Sequence, residues 1–561
     1  MKRILLSILS ITMLMGCNQN GTTTESGYYQ NGAVVSSRVE ASEIGAQILR
    51  EGGNAFDAMI ATELALAVAY PFAGNITGGG FMVFRKADRT VGSLDYRETA
   101  PLSAQSDFFL DSNGQVIAGK STLGANAIGV PGTVAGLFAV YDSLASMPFE
   151  RLIQPAIDLA KKGVVVTENQ SKRLAFYDSL FTLVNGRVLT RFSGVKAGDT
   201  IKHLELAKTL ESIRDQQSAA FYEGELANKM VSFIQNNGGV ITLEDLKAYR
   251  AVWRKPVRIS FKDFDLISMG PPSSGGVTMK QIFGMIAPYL TKEIQLDSEA
   301  YIHLLTEAFK RAYADRNHFL GDPDFVSIPE DSITANIYLA QRMQSYNPDK
   351  ATPSEAIEHG EPHQLESEET THYSIVDSFG NAVSVTTTLN GGYGSKLYHE
   401  ELGFFYNNEM DDFSSKPGVP NMYGLIGSAA NEIAPGKRML SSMTPTIVEK
   451  NGNLHMVLGT PGGSTIITAV AQTFLRAAFF DRPMQESVDA PRFHHQWKPD
   501  RLILEPNRFD EKRIRSLRQR GHSISEETNR IIGKVNAIKV HQLYGLEIGA
   551  DSRGDEAAAG F

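Results

Sequence analysis

The sequence predicts an α+β fold, on the strength of two β-hairpins and of helix-length segments that stand apart from them. The first hairpin has strands at His372 to Val376 and Ala382 to Thr388, joined by the turn Asp377-Ser378-Phe379-Gly380-Asn381. The second has strands near Thr446 to Val448 and Leu454 to Leu458 around Asn451-Gly452. Among the helical segments, Ala58 to Ala69 is hydrophobic nearly all round, which marks a buried core helix. A chain of 561 residues holds a few average domains or one large one. Its composition, 42% hydrophobic and 21% charged, is that of a globular protein, and a net charge of -9 without any basic run argues against nucleic acid as partner.

Taken in order, the chain opens with a targeting signal. Lys2 and Arg3 precede an apolar core, Ile4 to Met15, that is too short to span a bilayer. It ends in Leu14-Met15-Gly16-Cys17, which resembles a bacterial lipoprotein box with Cys17 as the lipidated residue; a plain secretory peptide cut nearby is the alternative. Either way the protein is expected to be exported. Cys17 is the only cysteine, so no intramolecular disulfide and no cysteine-based metal site can form. Residues 18–29, polar and rich in Gly, Thr and Ser, read as a tether.

Ala41 to Arg50 reads as a helix stopped by Gly52-Gly53, and Asn54-Ala55-Phe56-Asp57 opens the next one, which Pro71 ends. A glycine loop, Gly74 to Gly80, feeds a strand at Phe81 to Arg85, and a second strand, Val91 to Tyr96, ends in Arg97-Glu98. Arg97 is placed either to clamp a carboxylate with both guanidinium edges or to make a surface salt bridge. Gly114 to Ser121 matches the phosphate-loop pattern, yet a turn precedes it and a segment unable to form a helix follows, so the match is read as chance. Helices are expected at Thr133 to Leu144, Arg151 to Lys162, Leu204 to Asp215, Glu223 to Gln235 and Leu243 to Tyr249. Strands follow within Val257 to Met269, a tight corner at Pro271 to Gly276, and helices at Val277 to Pro288 and Glu299 to Arg316.

Thr370 stands where the acidic, polar run Glu361 to Glu369 meets the first hairpin. It is either one of an ordinary Thr-Thr pair opening a strand or, if the chain were cut before it, a residue holding both a nucleophile and its own base. The base would be the freed α-amine, whose unperturbed pKa is about 8. Beyond the hairpin, Asn407 to Phe413 packs acids into a loop, and Pro417 to Lys437 is long and rich in Gly and Pro, as lids often are. Gly459-Thr460-Pro461-Gly462-Gly463-Ser464 joins a strand to the helix Thr465 to Phe480; it offers backbone N–H groups to an anion or is a structural turn. No G-x-S-x-G elbow and no H-E-x-x-H zinc motif occurs, and the adjacent pair His494-His495 reads as structural.

Several of these segments together resemble the gamma-glutamyltransferase (gamma-glutamyltranspeptidase) family. They are Thr370-Thr371-His372-Tyr373-Ser374, Thr388-Leu389-Asn390, Asn407 to Phe413, Leu440-Ser441-Ser442-Met443-Thr444-Pro445 and Pro461-Gly462-Gly463-Ser464. The preceding part agrees through Gly78 to Met82, Asp95-Tyr96-Arg97-Glu98, Pro131-Gly132-Thr133, Pro272 to Gly276, Asp315-Arg316 and Gly321-Asp322-Pro323. The resemblance covers roughly residue 30 to the C-terminus.

The resemblance implies an N-terminal-nucleophile hydrolase with a four-layer αββα sandwich, made as one precursor. Residues 1–17 would be the signal peptide, 18–29 the tether, 30–369 the large subunit and 370–561 the small catalytic subunit, cut between Glu369 and Thr370. Thr370 would be the nucleophile, Thr388 would orient it, and Gly462 and Gly463 would form the oxyanion hole. Arg97, Ser441 and Ser442 match the residues that grip a glutamyl α-carboxylate; Asn390, Glu409 and Asp412 match those that hold its α-amine; Tyr423 matches the lid gate. Substrates would be glutathione and other gamma-glutamyl compounds, with water, amino acids or peptides as acceptors and no cofactor or metal. The lipid anchor would be the only membrane attachment. A related acylase of the cephalosporin or polyglutamate type, or an uncleaved binding lipoprotein, would share much of this pattern. The retained Arg97 and paired serines argue against the first, and the retained Thr370 and Gly462-Gly463 against the second.

Overall fold

The computed structural model of the protein describes residues 28–358, 370–416, 428–525 and 530–561. Cys17, Glu369 and Tyr423 lie outside the described residues. Two seven-stranded antiparallel sheets form the centre. The first, which contains Thr370, runs Ala557–Gly560, Ala33–Ser36, Thr370–Val376, Ala382–Thr388, Gly79–Arg85, Val91–Asp95, Val252–Arg254. The second runs Tyr28–Tyr29, Gly545–Ala550, Asn536–His541, Asn453–Gly459, Thr446–Lys450, Phe264–Ser268, Val257–Phe261.

Period-2 alternation explains how the first sheet is covered on both faces. Along Thr370–Val376 every residue is buried. Tyr373 and Ile375 join a core shared with the helices Val39–Arg50 and Ala55–Ala69. His372 and Ser374 point the other way, where Asn536 Nδ2 donates to the His372 carbonyl at 2.8 Å and Ser374 Oγ donates to the Asn536 carbonyl at 3.1 Å. A second bridge between the sheets passes through Ser384, whose hydroxyl donates to the Leu458 carbonyl at 3.1 Å and accepts from the Thr446 N–H at 3.0 Å. Outside the second sheet lie Gly275–Ile286, Glu299–Phe319 and Thr465–Phe474. The layers are therefore helix, sheet, sheet, helix, as the resemblance implies.

Local chemistry accounts for the helices beneath the first sheet. Asn54 caps Ala55–Ala69, with Asp57 returning the bond to the Asn54 N–H, and all fifteen residues are buried. Glu63 is buried with them and accepts from the Tyr373 hydroxyl at 2.7 Å. Burial pushes its carboxyl up to about 7.

Several features differ from the sequence expectation, three of them near the elements described above. Glu168–Asn185 is an unanticipated helix, capped by Thr167 and buried only along Gln170, Leu174, Tyr177 and Phe181, too thin a stripe to stand out. The expected helix Thr465 to Phe480 is α-helical to Phe474 and then widens into a π-turn over Leu475–Phe479. Tyr28–Tyr29, placed in the tether from sequence, forms an edge strand against Gly545–Ala550.

Gly459 lets the second sheet approach the strand Thr370–Val376 closely: a Cβ there would stand 2.3 Å from the His372 ring. His372 is buried, and desolvation lowers it to about 3, so the imidazole between the sheets is neutral. Gly459→Ala is expected to cost about 1–3 kcal/mol of stability through overpacking, read as a lower denaturant midpoint.

Candidate active site

One cavity, of about 330 Å³ including its open mouth, gathers most of the residues singled out from sequence. Thr370, Thr388, Asn390, Arg97, Glu409, Asp412, Ser441, Ser442 and Gly463 all line it. Gly462 stands one residue outside the lining, and Leu440, Met443, Ser464, Ile466 and Arg316 complete it.

Strand register sets the reactive end. Thr370 is paired with Thr388, which is paired in turn with Gly79, so the hydroxyl of one central strand faces that of its neighbour. The Thr388 hydroxyl accepts from the Asn390 N–H at 2.7 Å. That bond is possible because Asn390 adopts a φ of 67°, a conformation asparagine tolerates better than most residues. The Asn390 amide then donates to the Asn408 carbonyl at 3.0 Å. On the opposite wall Gly462 and Gly463 take φ values of 138° and 53° between the strand Asn453–Gly459 and the helix Thr465–Phe474. A Cβ on Gly462 would meet Thr465 Oγ1 at 2.6 Å. The Gly462 carbonyl accepts from the Thr465 N–H at 3.0 Å, so it is turned into the helix.

Arg97 settles the alternative left open by the sequence. It is 1% exposed, and its guanidinium pairs through Nη1 with Glu409 and through Nη2 with Asp412. It is a buried ion-pair centre, not a surface salt bridge. Glu98 is equally buried, with Oε2 at 3.8 Å from Arg97 Nη1. Three carboxylates thus share one guanidinium. Burial is the largest influence on Glu98, Glu409 and Asp412, and it raises all three above the ordinary carboxylate range in spite of Arg97. The acidic turn is itself pinned: Asn407 Oδ1 accepts from the N–H groups of Glu409 and Gly129, and Ser121 Oγ donates to Asp411 at 2.5 Å. Ser121 closes the phosphate-loop look-alike, and Lys120 donates to the Phe108 carbonyl at 2.6 Å. That segment therefore buttresses the acidic turn.

The serine pair hangs from the Pro271-Pro272 corner. Ser441 donates its N–H to the Pro272 carbonyl at 3.0 Å, and its carbonyl accepts from both the N–H and the hydroxyl of Ser274 at 2.7 Å. Arg316, missed as a site residue, donates to Ser442 Oγ at 3.1 Å and to Ser274 Oγ at 3.2 Å. Its presence in the Asp315-Arg316 motif was the available signal. Within the expected lid, Asn431 donates to the Asp412 carbonyl at 2.7 Å; residues 417–427 lie outside the described residues. His494 and His495 are buried: His494 bonds to Thr468 and Gln496 and stands 3.5 Å from the hydroxyl of Ser464 in the cavity lining, and His495 bonds to Asp500.

Two antiparallel sheets packed face to face between helical layers, with a threonine opening a central strand at the cavity, define an N-terminal-nucleophile hydrolase. The chain belongs to the gamma-glutamyltranspeptidase family, whose model matches residues 41–561. It is 41% identical over 540 residues to the glutathione hydrolase proenzyme of Escherichia coli K12, covering 95% of this chain and 92% of that one. To the glutathione hydrolase proenzyme of Pseudomonas sp. A14 it is 45% identical, covering 85% and 83%. Among solved structures, cephalosporin acylase from Bacillus halodurans has the same fold, with a TM-score of 0.82 at 23% identity over 99% of both chains. Helicobacter pylori gamma-glutamyltranspeptidase aligns at 39% identity with a TM-score of 0.57, covering 61% of this chain and 97% of that one.

The raised carboxyls make stability depend on pH. Glu98 and Glu409 keep protons in the folded state that the unfolded chain loses near 4.5. Their contribution is therefore complete below about pH 4.5 and fades as pH rises through the folded values. Denaturant midpoints between about pH 5 and 8 should fall less steeply for Glu98→Gln than for the parent.

Proposed function

We propose that the protein is a gamma-glutamyltransferase and glutathione hydrolase that activates itself by cutting before Thr370. The observation that carries this reading is the single cavity joining a strand-opening threonine to one guanidinium, paired serines and two carboxylates. In the precursor, Thr370 Oγ attacks the Glu369 carbonyl. The Glu369–Thr370 C–N bond breaks as an ester forms, and water hydrolyses the ester. Strands from both sides of the cut alternate in one sheet, since Thr370–Val376 lies against Ala33–Ser36 and Ala382–Thr388 against Gly79–Arg85. Large and small subunits, 30–369 and 370–561, therefore stay together as a heterodimer.

In the mature enzyme the Thr370 α-amine takes the hydroxyl proton as Oγ attacks the gamma-glutamyl carbonyl. N–H groups of Gly462 and Gly463 hold the oxyanion, an effect commonly worth about 10²–10³ in rate. Collapse of that intermediate expels the leaving amine, which receives the proton from the α-amine. An ester on Thr370 remains, and water or an acceptor amine then attacks it. Thr388, held by the Asn390 N–H, orients the nucleophile.

Substrate recognition follows from opposite charges placed apart. The glutamyl α-carboxylate is received by Arg97 with Ser441 and Ser442, and its α-ammonium by Asn390, Glu409 and Asp412. Without substrate, Arg97 is occupied by Glu409 and Asp412. A bound zwitterion therefore exchanges one ion pairing for two, and a ligand lacking either charge leaves a buried group uncompensated. By the resemblance, Tyr423 would be the gate of a lid over this head. A lipid on Cys17 holds the exported enzyme to a bacterial membrane.

Thr370→Ala is expected to remain full length and to release no chromophore from a gamma-glutamyl anilide, as judged by intact mass and absorbance. A cleaved, active alanine variant would refute the assignment.

A further inference from the structure

The strands of both sheets end in turns at the side of the molecule opposite the cavity. In the first sheet Thr370, Thr388 and Gly79 stand together at one end, while Val376, Ala382 and Arg85 stand together at the other. In the second, Gly459 and Asn536 are at the cavity end, and Lys450, Asn453 and Phe264 at the far end. Arg85 ties the two far ends by donating to the Gly452 carbonyl at 3.1 Å. Seven-residue strands put these turns about 20 Å from Thr370.

This far end carries exposed apolar and aromatic tips. Leu543 is 85% exposed, Tyr544 62%, Phe379 58% and Tyr28 47%, each on a turn or at the sheet's edge. Tyr28 packs its ring against His541 at 5.6 Å and Tyr544 at 5.9 Å. Lys86, Arg89, Lys262 and Lys450 stand on neighbouring turns, where Lys86 pairs with Asp88 and Lys450 with Asp263. Exposed aromatic and apolar tips are what the interfacial boundary of a bilayer accepts.

The chain from Cys17 enters the fold at this end. Tyr28 pairs with Glu547, beside the turn at Gln542 to Tyr544. The ten residues 18–27 can reach at most about 35 Å from Cys17. A lipid on Cys17 would therefore attach the chain beside this end, about 20 Å nearer to its point of entry than the cavity end is. Resting on the anchor reading given above, we propose that the turn end bearing Tyr28, Phe379, Leu543 and Tyr544 docks on the lipid surface. Docking in this way faces the catalytic cavity away from the membrane, open to soluble peptides.

The test uses the chain from Cys17 onward, tethered through its single thiol to a maleimide lipid in phosphatidylethanolamine–phosphatidylglycerol vesicles. A tryptophan is placed at the tip by Leu543→Trp or, as control, on the exposed Phe176 by Phe176→Trp. Phe176 is 73% exposed on the helix Glu168–Asn185, which belongs to none of these turns. Glutathione hydrolysis by each variant reports that it has folded. Brominated acyl chains should quench the Leu543→Trp emission several-fold more than the Phe176→Trp emission, once the signal from Trp253 and Trp497 is subtracted. Equal quenching, or stronger quenching at Phe176→Trp, overturns the docking proposal. The anchor reading is tested separately, by the mass of the N-terminal fragment from cells. An unacylated Cys17 there would sink the anchor while the vesicle result still decides the surface.

Discussion

The antiparallel ladder between Thr370–Val376 and Ala382–Thr388 is the constraint on which the other features depend. All of its residues are buried, so a slip of one position would turn His372 and Ser374 into the helical core and Tyr373 and Ile375 toward the second sheet. The correct register sets Thr370 beside Thr388. It also sets the polar side chains of both strands opposite backbone groups of the second sheet, where Ser374, Ser384 and Asn536 find partners. Gly459 permits this by leaving room for the His372 ring.

Around that fixed strand end the chain places a concentration of charge that would be untenable if unpaired. Glu98, Glu409 and Asp412 surround Arg97, with Arg316 nearby through Ser442. Removing water from so many carboxyls is costly, and part of that cost is avoided by retaining protons. The cluster contains both signs of charge, fixed by Tyr249, which donates to the Arg97 carbonyl at 2.7 Å, and by Asn407 beneath the acidic turn.

The same strands give the molecule two unlike ends. One gathers the threonine, the glycine turn and the charged cluster, and is contributed by segments far apart in the chain. The other is made of hairpin turns, where side chains have no partner layer and apolar tips remain exposed. The ladder that sets Thr370 beside Thr388 thus also separates the cavity from the surface around Tyr28.

Much was legible in the sequence because it is local. Asn54 with Asp57 announces a helix start, Asn451-Gly452 a hairpin, and Thr370 at the head of an alternating strand a candidate nucleophile. The helix at Glu168–Asn185 was not legible, since its buried stripe is thin and its other faces are polar. Arg97 could be read as a clamp or a surface ion, and neither Glu98 nor Arg316 stood out as part of the site. Sequence by itself determined most of the elements, their order and most of the residues that line the cavity. Tertiary structure alone decided that Arg97 is buried between Glu409 and Asp412, that Ser121 braces the acidic turn, and that all of these open on one cavity. Desolvation and ion pairing act through distances in space, and separations of some three hundred residues along the chain carry no trace of them.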